Sequence, residues 1–348
     1  MLLLVIDPFC RFEHVKIPST CLEATQLKEI FSVIKLEEEP ALKYLNIGLN
    51  DLSSLPVEAL LESVGKLEGL SVRNSDISAD TFTGLFSKIG AGDDEHIKLE
   101  TLNISKNNFL GVPPDIMSLA ICRLKIVNIS SCDFDENNWN VFFEGIVKSQ
   151  HFKLEYLDIS DCYLASVSSK FISEALVKIE TVNASSTELS NSQLLEIMTE
   201  ILETPELVLK SLNLSVNILS SLPPHLLSHA VCKLEESQLE RTRLSCNHIE
   251  MILQQISQEE ELTLKSLNLS WNDISTVAPF QLRAILRLTD VYLRRTNLRE
   301  EQLEILIDGR QSDAAVALTC LDVSLNHRLS VQSHHLSWAK SKLKKFIN

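Results

Sequence analysis

The chain has 348 residues, of which 45% are hydrophobic but only 6% aromatic, so Leu, Ile and Val must supply most of any core. Its 32 lysines and arginines against 47 aspartates and glutamates leave a formal charge of −15, which disfavours nucleic acid as a partner and favours a basic protein. No apolar run is long enough to span a membrane, and the eight cysteines contain neither a C-x-x-C pair nor metal-ligand spacing.

The apolar start, Met1–Ile6, ends at Asp7-Pro8, lacks a basic leading region and is too short for a signal peptide. From Phe12 onward one pattern recurs, and its clearest copy is Leu264 to Ser275. Apolar residues stand there at offsets 0, +3, +5 and +10 (Leu264, Leu267, Leu269, Ile274), with Asn272 at +8. The alternation around Leu267 and Leu269 predicts a short strand with one buried face. Asn272 falls where the chain leaves the strand, and its amide can satisfy backbone groups that the turn unpairs. One such unit cannot bury its apolar face alone, whereas stacked copies can.

Copies begin at Phe12, Leu42, Leu67, Leu99, Leu124, Leu154, Ile179, Leu209, Leu234, Leu264, Leu288 and Leu318. The steps between them run 30, 25, 32, 25, 30, 25, 30, 25, 30, 24 and 30 residues, so long and short alternate throughout. Repeats before a short step carry Asn50, Asn107, Asn217, Asn272 and Asn326 at +8, with Cys162 the one departure. Those before a long step carry Thr20, Ser75, Cys132, Thr187, Thr242 and Thr296. Stacking brings Cys132 and Cys162 near each other, and a pair of buried thiols is favoured over a disulfide.

The segments between strands read as helices. Ser190 to Leu202 and Glu300 to Ile307 open with cap-type or acidic residues and keep apolar side chains at helical spacing. In the short steps, Gly111–Pro114 and Ser221–Pro224 place proline at a helix start, where it costs no hydrogen bond. The acidic stretch Gly90–Glu95 reads as a loop, Ser237 breaks the apolar pattern at +3, and His327-Arg328 shifts the last apolar position to Leu329. The tail suits a capping helix over about 333–348. Residues 1–348 read as a single solenoid domain.

The L-x-x-L-x-L-x-x-N-x-L pattern resembles the leucine-rich repeat, and its two alternating types resemble the ribonuclease-inhibitor-like class. That class includes the intracellular inhibitor and the sensor region of NACHT-type innate immune receptors. The resemblance covers about Phe12 to the C-terminus. It implies an α/β, right-handed horseshoe of about twelve repeats, with a parallel sheet on the concave face and helices on the convex face.

Five Asn-x-Ser sequons, at Asn103, Asn128, Asn183, Asn213 and Asn268, all fall at +4. Glycans there would crowd one another on the concave face, so they are by-products of the repeat and the compartment expected is the cytoplasm. No P-loop, G-x-S-x-G or H-E-x-x-H motif occurs, and His225 and His229 at helical spacing have no carboxylate between them. The expectation is therefore a non-enzymatic, monomeric protein-binding scaffold that needs no cofactor. Alternatives are the repeat region of a NACHT-type receptor, a GTPase-activating protein and a ubiquitin-ligase substrate receptor. Among outward offsets, Trp271, Tyr292, Arg294, Arg295, Arg241, Glu240, Asp290 and Asp322 form the expected binding patch, with Tyr156 and Asp158 a smaller second cluster. Trp271 and Tyr292 are expected side by side.

Overall fold

The computed structural model describes residues 12–37, 40–53, 55, 57–91, 97–308, 317–326 and 345–347. The chain divides into two compact units, Met1–Ala175 and Leu176–Asn348. Each is a leucine-rich-repeat solenoid in which a three-residue strand, a turn and a helix recur. The first unit carries β1 (His14–Lys16), β2 (Tyr44–Asn46), β3 (Gly69–Ser71), β4 (Thr101–Asn103), β5 (Ile126–Asn128) and β6 (Tyr156–Asp158). The second carries β7 (Thr181–Asn183), β8 (Ser211–Asn213), β9 (Glu236–Gln238), β10 (Ser266–Asn268), β11 (Asp290–Tyr292), β12 (Cys320–Asp322) and β13 (Lys345–Ile347).

Within each unit, successive strands pair in parallel, and the register lines up the +3 residues. In the first unit these are Val15, Leu45, Leu70, Leu102, Val127 and Leu157. In the second they are Val182, Leu212, Ser237, Leu267, Val291 and Leu321. Ser237 is as buried as its apolar neighbours. The alternation of steps reappears in the helices. Long steps hold 13-residue helices such as Ala24–Leu36, Ala79–Ala91 and Asn191–Glu203. Short steps hold shorter ones, from Val57–Val64 (8 residues) to the 3₁₀ segment Gln281–Arg287 (7 residues).

Two expectations need correction. Gly90 and Ala91 complete a helix rather than opening a loop, and the rest of that stretch, 92–96, lies outside the described residues. In the expected C-terminal helix, Lys345–Ile347 instead form β13, which pairs in parallel with β12. Residues 333–344 and the His327-Arg328 shift are outside the described part.

The turns after β1 to β12 share one feature. The +7 residue is left-handed in all twelve, with φ from 50° at Asn74 to 64° at Val216, and none of the twelve is glycine. Such a conformation is costly for a side chain with Cβ and worst for a β-branched one. It persists because it aims the +7 N–H at the +6 carbonyl of the next repeat, as in Leu49 to Arg73, Val216 to Glu240 and Trp271 to Arg294 at 2.8 Å each.

The +8 asparagine secures that turn. Asn217 Nδ2 donates to the carbonyls of Ala184 (2.8 Å) and Leu214 (3.1 Å), while Oδ1 accepts from the Leu189 N–H (3.2 Å) and the Thr187 hydroxyl (3.3 Å). Asn50, Asn107, Asn272 and Asn326 are buried and bond to carbonyls in the same way. Where Cys162 replaces asparagine, its thiol lies 3.4 Å from the Ile129 carbonyl and meets the Ser131 and Cys132 backbone, and the Cys132 thiol lies 3.5 Å from the Ile104 carbonyl. A thiol is a weak acceptor. The +9 residue there, Asp133, is not left-handed as it is at Asp76 or Glu188, and it forms a bridge to Asn108 instead. Beside this weaker rung lies a cluster of aromatics, with Phe82, Phe86, Phe109, Trp139, Phe142 and Phe143 buried and Phe134 half-buried.

Asn217→Ala should lower unfolding free energy by about 1–3 kcal/mol in urea titration, because the turn groups lose a buried partner. Trp139→Ala, which empties a site only 1% exposed, should cost about 3–5 kcal/mol. The cysteines give a separate check. Burial pushes the Cys162 thiol up to about 11, that of Cys232 to about 12 and that of Cys132 higher still. Because only the thiolate reacts, iodoacetamide at mildly alkaline pH should modify exposed Cys21 and spare these three until the protein is denatured, as peptide mapping would show.

Candidate protein-binding surface

Four rows of side chains emerge on the strand side, and each has a different use. At +1 the row alternates in sign. Lys43 lies 3.4 Å from both Glu13 and Glu68, Lys125 pairs with Glu100, Lys210 with Glu180 and Lys265 with Glu235. The carboxylates raise Lys43, Lys125 and Lys210 above their ordinary range, Lys43 chiefly through its bond to Glu13. Sequence reading passed over this ladder, although E, K, E, E, K, E, E, K, E, K at +1 spells it out.

At +4, asparagine or aspartate is bound to the backbone two residues on. Oδ1 of Asn103, Asn128, Asn183, Asn213 and Asn268 accepts the N–H of the serine at +6, at 2.9–3.2 Å. This is the physical reason for the recurring Asn-x-Ser. Asp322 does the same with Ser324 (2.9 Å). Asp158 is buried: one oxygen accepts from the Ser160 N–H and hydroxyl, the other from Asn128 Nδ2. Its carboxylate is therefore part of the scaffold and not a free surface group. Tyr156 beside it is half-buried, and burial raises its hydroxyl pKa.

In the second unit two repeats lack an acceptor of this kind at +4, and a neighbouring serine replaces it. Ser215 Oγ accepts the Glu240 N–H, and Ser270 Oγ accepts the Arg294 N–H, both at 3.2 Å. Gln238 and Tyr292 are thereby released from the backbone. Burial, then the Cys320 thiol and the Asp290 carboxylate, push the Tyr292 hydroxyl above the ordinary tyrosine value. Tyr292 is thus set among Cys320, Asp290 and Asp322.

Trp271 has different neighbours from those expected. It stands at +7, and the residues at +7 in the repeats on either side are Arg241 and Arg295. Their guanidinium carbons lie 5.0 Å and 4.0 Å from the Trp271 ring centroid. Trp271 is half-buried, Arg241, Arg294 and Arg295 are exposed, and Glu240 and Asp290 are half-buried. A groove of about 560 Å³ runs beside the stack, lined by Arg241, Arg243, Val216, Ile218, Glu188 and Trp271 among others. Val216 and Ile218 are 48% and 51% exposed. The sequence placed Arg241, Trp271 and Arg295 at one offset, and reading offsets across repeats rather than along one strand would have found the stack.

The first unit also holds more than the repeat pattern suggested. At +2, the rings of His14 and Tyr44 stack at 4.5 Å, and Tyr44 lies over Gly69, where an added Cβ would meet it at 2.4 Å. The result is a shallow hollow of about 250 Å³ bordered by Thr101 and Asn103. Among the described residues no group of acids, histidines and cysteines is placed to hold a metal, and no helix is long and apolar enough to cross a membrane.

With fold and surface defined, the class follows: this is a leucine-rich-repeat protein. Leucine-rich-repeat family models match residues 98–119 and 262–277. No curated protein sequence matches the chain. Among solved structures, a chain of the yeast Rad7 and Elc1 complex is similar at a TM-score of 0.60 and 17% identity, over 95% of this chain and 80% of that one. The leucine-rich repeat-containing protein LegL7 of Legionella pneumophila aligns at 0.54 and 17%, over 94% and 97%. An internalin of Listeria monocytogenes, inlF, aligns at 0.52 and 13%, over 98% and 88%.

If the stack is as described, Trp271 emission should shift when both Arg241 and Arg295 are replaced by Met, while urea stability falls by no more than about 1–2 kcal/mol, since each half-exposed cation–π contact contributes about 0.5–1 kcal/mol.

Proposed function

We propose that this chain is a non-enzymatic scaffold that docks a protein partner on its second unit, along the strip centred on Trp271. The observation that carries the reading is the stack of Arg241, Trp271 and Arg295 beside exposed Val216 and Ile218. Trp and Arg are the side chains most often found at binding hot spots, and rings held in place by neighbours lose little entropy on docking. Tyr292, Arg294, Glu240, Asp290 and Asp322 belong to the same unit and form the rim of the surface. Tyr156 is the candidate contact in the first unit.

The alternation of 13-residue and shorter helices, together with the Asn and Thr alternation at +8, supports a place in the ribonuclease-inhibitor-like class. The described cysteines are all free thiols, which supports work in a reducing compartment such as the cytoplasm. The formal charge of −15 supports a partner of net positive charge, drawn in by long-range attraction, and disfavours nucleic acid. We take the working state to be a monomer.

The test is affinity capture from cells followed by calorimetry on the purified partner. Trp271→Ala should weaken binding by about 2 kcal/mol or more, with the circular dichroism spectrum unchanged. Thr181→Ala, at the far end of the same unit, should do little. A partner that binds Trp271→Ala as tightly as the unaltered chain would overturn the assignment.

A further inference from the structure

Charge on this protein is handled in two ways. Along the +1 row, lysines sit beside glutamates of adjacent repeats and are neutralised in place. Along the +7 row and next to it, Arg241, Arg243, Arg294 and Arg295 have no ion-pair partner among the described residues, although the chain as a whole carries an excess of acids. A chain of charge −15 could readily supply carboxylates to these four, and among the described residues it does not.

The geometry of the stack gives those cations a specific use. A guanidinium lying over an indole employs its face, and its five N–H donors all lie in the plane of the fork. At 5.0 Å and 4.0 Å from the Trp271 centroid, the Arg241 and Arg295 guanidiniums lie over the ring with no carboxylate partner among the described residues, so their hydrogen-bonding forks can be offered to a ligand. Holding the forks in place removes much of the entropy loss that long side chains suffer on binding. Bidentate pairing with carboxylates follows from that arrangement. In the groove beside Arg241 are apolar surfaces, Val216 and Ile218, that a strong polyelectrolyte would not cover.

We propose that this strip recognises an acidic peptide segment of the partner, in which two carboxylates flank an apolar side chain. The carboxylates bind the edges of Arg241 and Arg295, and the apolar side chain lies against Trp271 and Val216. The inference rests on the second-unit docking surface proposed above and adds its chemistry. The partner's overall charge steers the encounter, while the docked segment is locally acidic. Glu188 in the groove and the charge of the whole chain set the strip against a nucleic-acid backbone, whose phosphates they repel.

The experiment selects binders to the full chain from a displayed random-peptide library, then measures the enriched peptides by fluorescence anisotropy. The expected peptides carry paired Asp or Glu around a Leu, Phe or Trp. Their affinity should fall about tenfold or more for Arg241→Glu with Arg295→Glu, and for Trp271→Ala, and should weaken as salt rises. Circular dichroism on each variant checks that it is folded, and Arg283→Glu, on another exposed part of the unit, should leave binding unchanged. Enriched peptides that are neutral or basic, or acidic ones indifferent to the arginine substitutions, would overturn the proposal. So would an oligothymidine probe that binds the strip as tightly as the peptides. If a captured partner depends on Trp271 while its docking segment is not acidic, the scaffold reading stands and this inference alone fails.

Discussion

Each repeat has to turn its backbone sharply out of a strand only three residues long, and the polar groups exposed in that turn are buried. Everything else in the two units is arranged around satisfying them. The asparagine at +8 does so from the inside, bonding with donors and acceptors on its own repeat and the one before. The left-handed residue at +7 does so from the outside, giving its N–H to the following repeat. A residue such as Val216 tolerates that conformation because hydrogen bonds on both sides leave the backbone no better arrangement.

The same constraint sets which side chains are free to bind. An asparagine or aspartate at +4 closes the strand end with its own side chain, so five apparent glycosylation signals and the Asp158 carboxylate are parts of the scaffold. A serine reaching across from the neighbouring repeat takes over that task twice, and Tyr292 is released where it does. At +7 only the backbone is engaged, and the side chain is left to project. A projecting side chain can therefore be placed at +7 with little cost to the repeat, and Arg241, Trp271 and Arg295 of the second unit are found there.

At Cys162 the inner device is missing, and the turn changes accordingly. A thiol can contact a carbonyl but cannot accept strongly from the preceding turn, and that turn takes a different path at Asp133. The aromatic cluster lies at this rung, so packing contributes there what hydrogen bonding contributes elsewhere.

The sequence determined the repeat, its two alternating lengths, the buried asparagines and the strands, because each depends on a spacing that one repeat contains in full. It also named Arg241, Trp271 and Arg295, since outward offsets can be counted. Tertiary structure decided which of those residues meet. Trp271 stacks with the same offset in its neighbours, because the register of parallel strands joins equal offsets and those lie 30 and 24 residues away here. Tyr292 instead reaches diagonally to Cys320, two residues before its register partner Asp322. The role of Asp158 and the neutralised +1 row were hidden for the same reason: a carboxylate reads as a surface charge until the group it bonds is known. The fate of the C-terminal residues 345–347 was also tertiary, for an apolar and basic tail fits a helix by pattern but becomes a strand when an open sheet edge lies beside it.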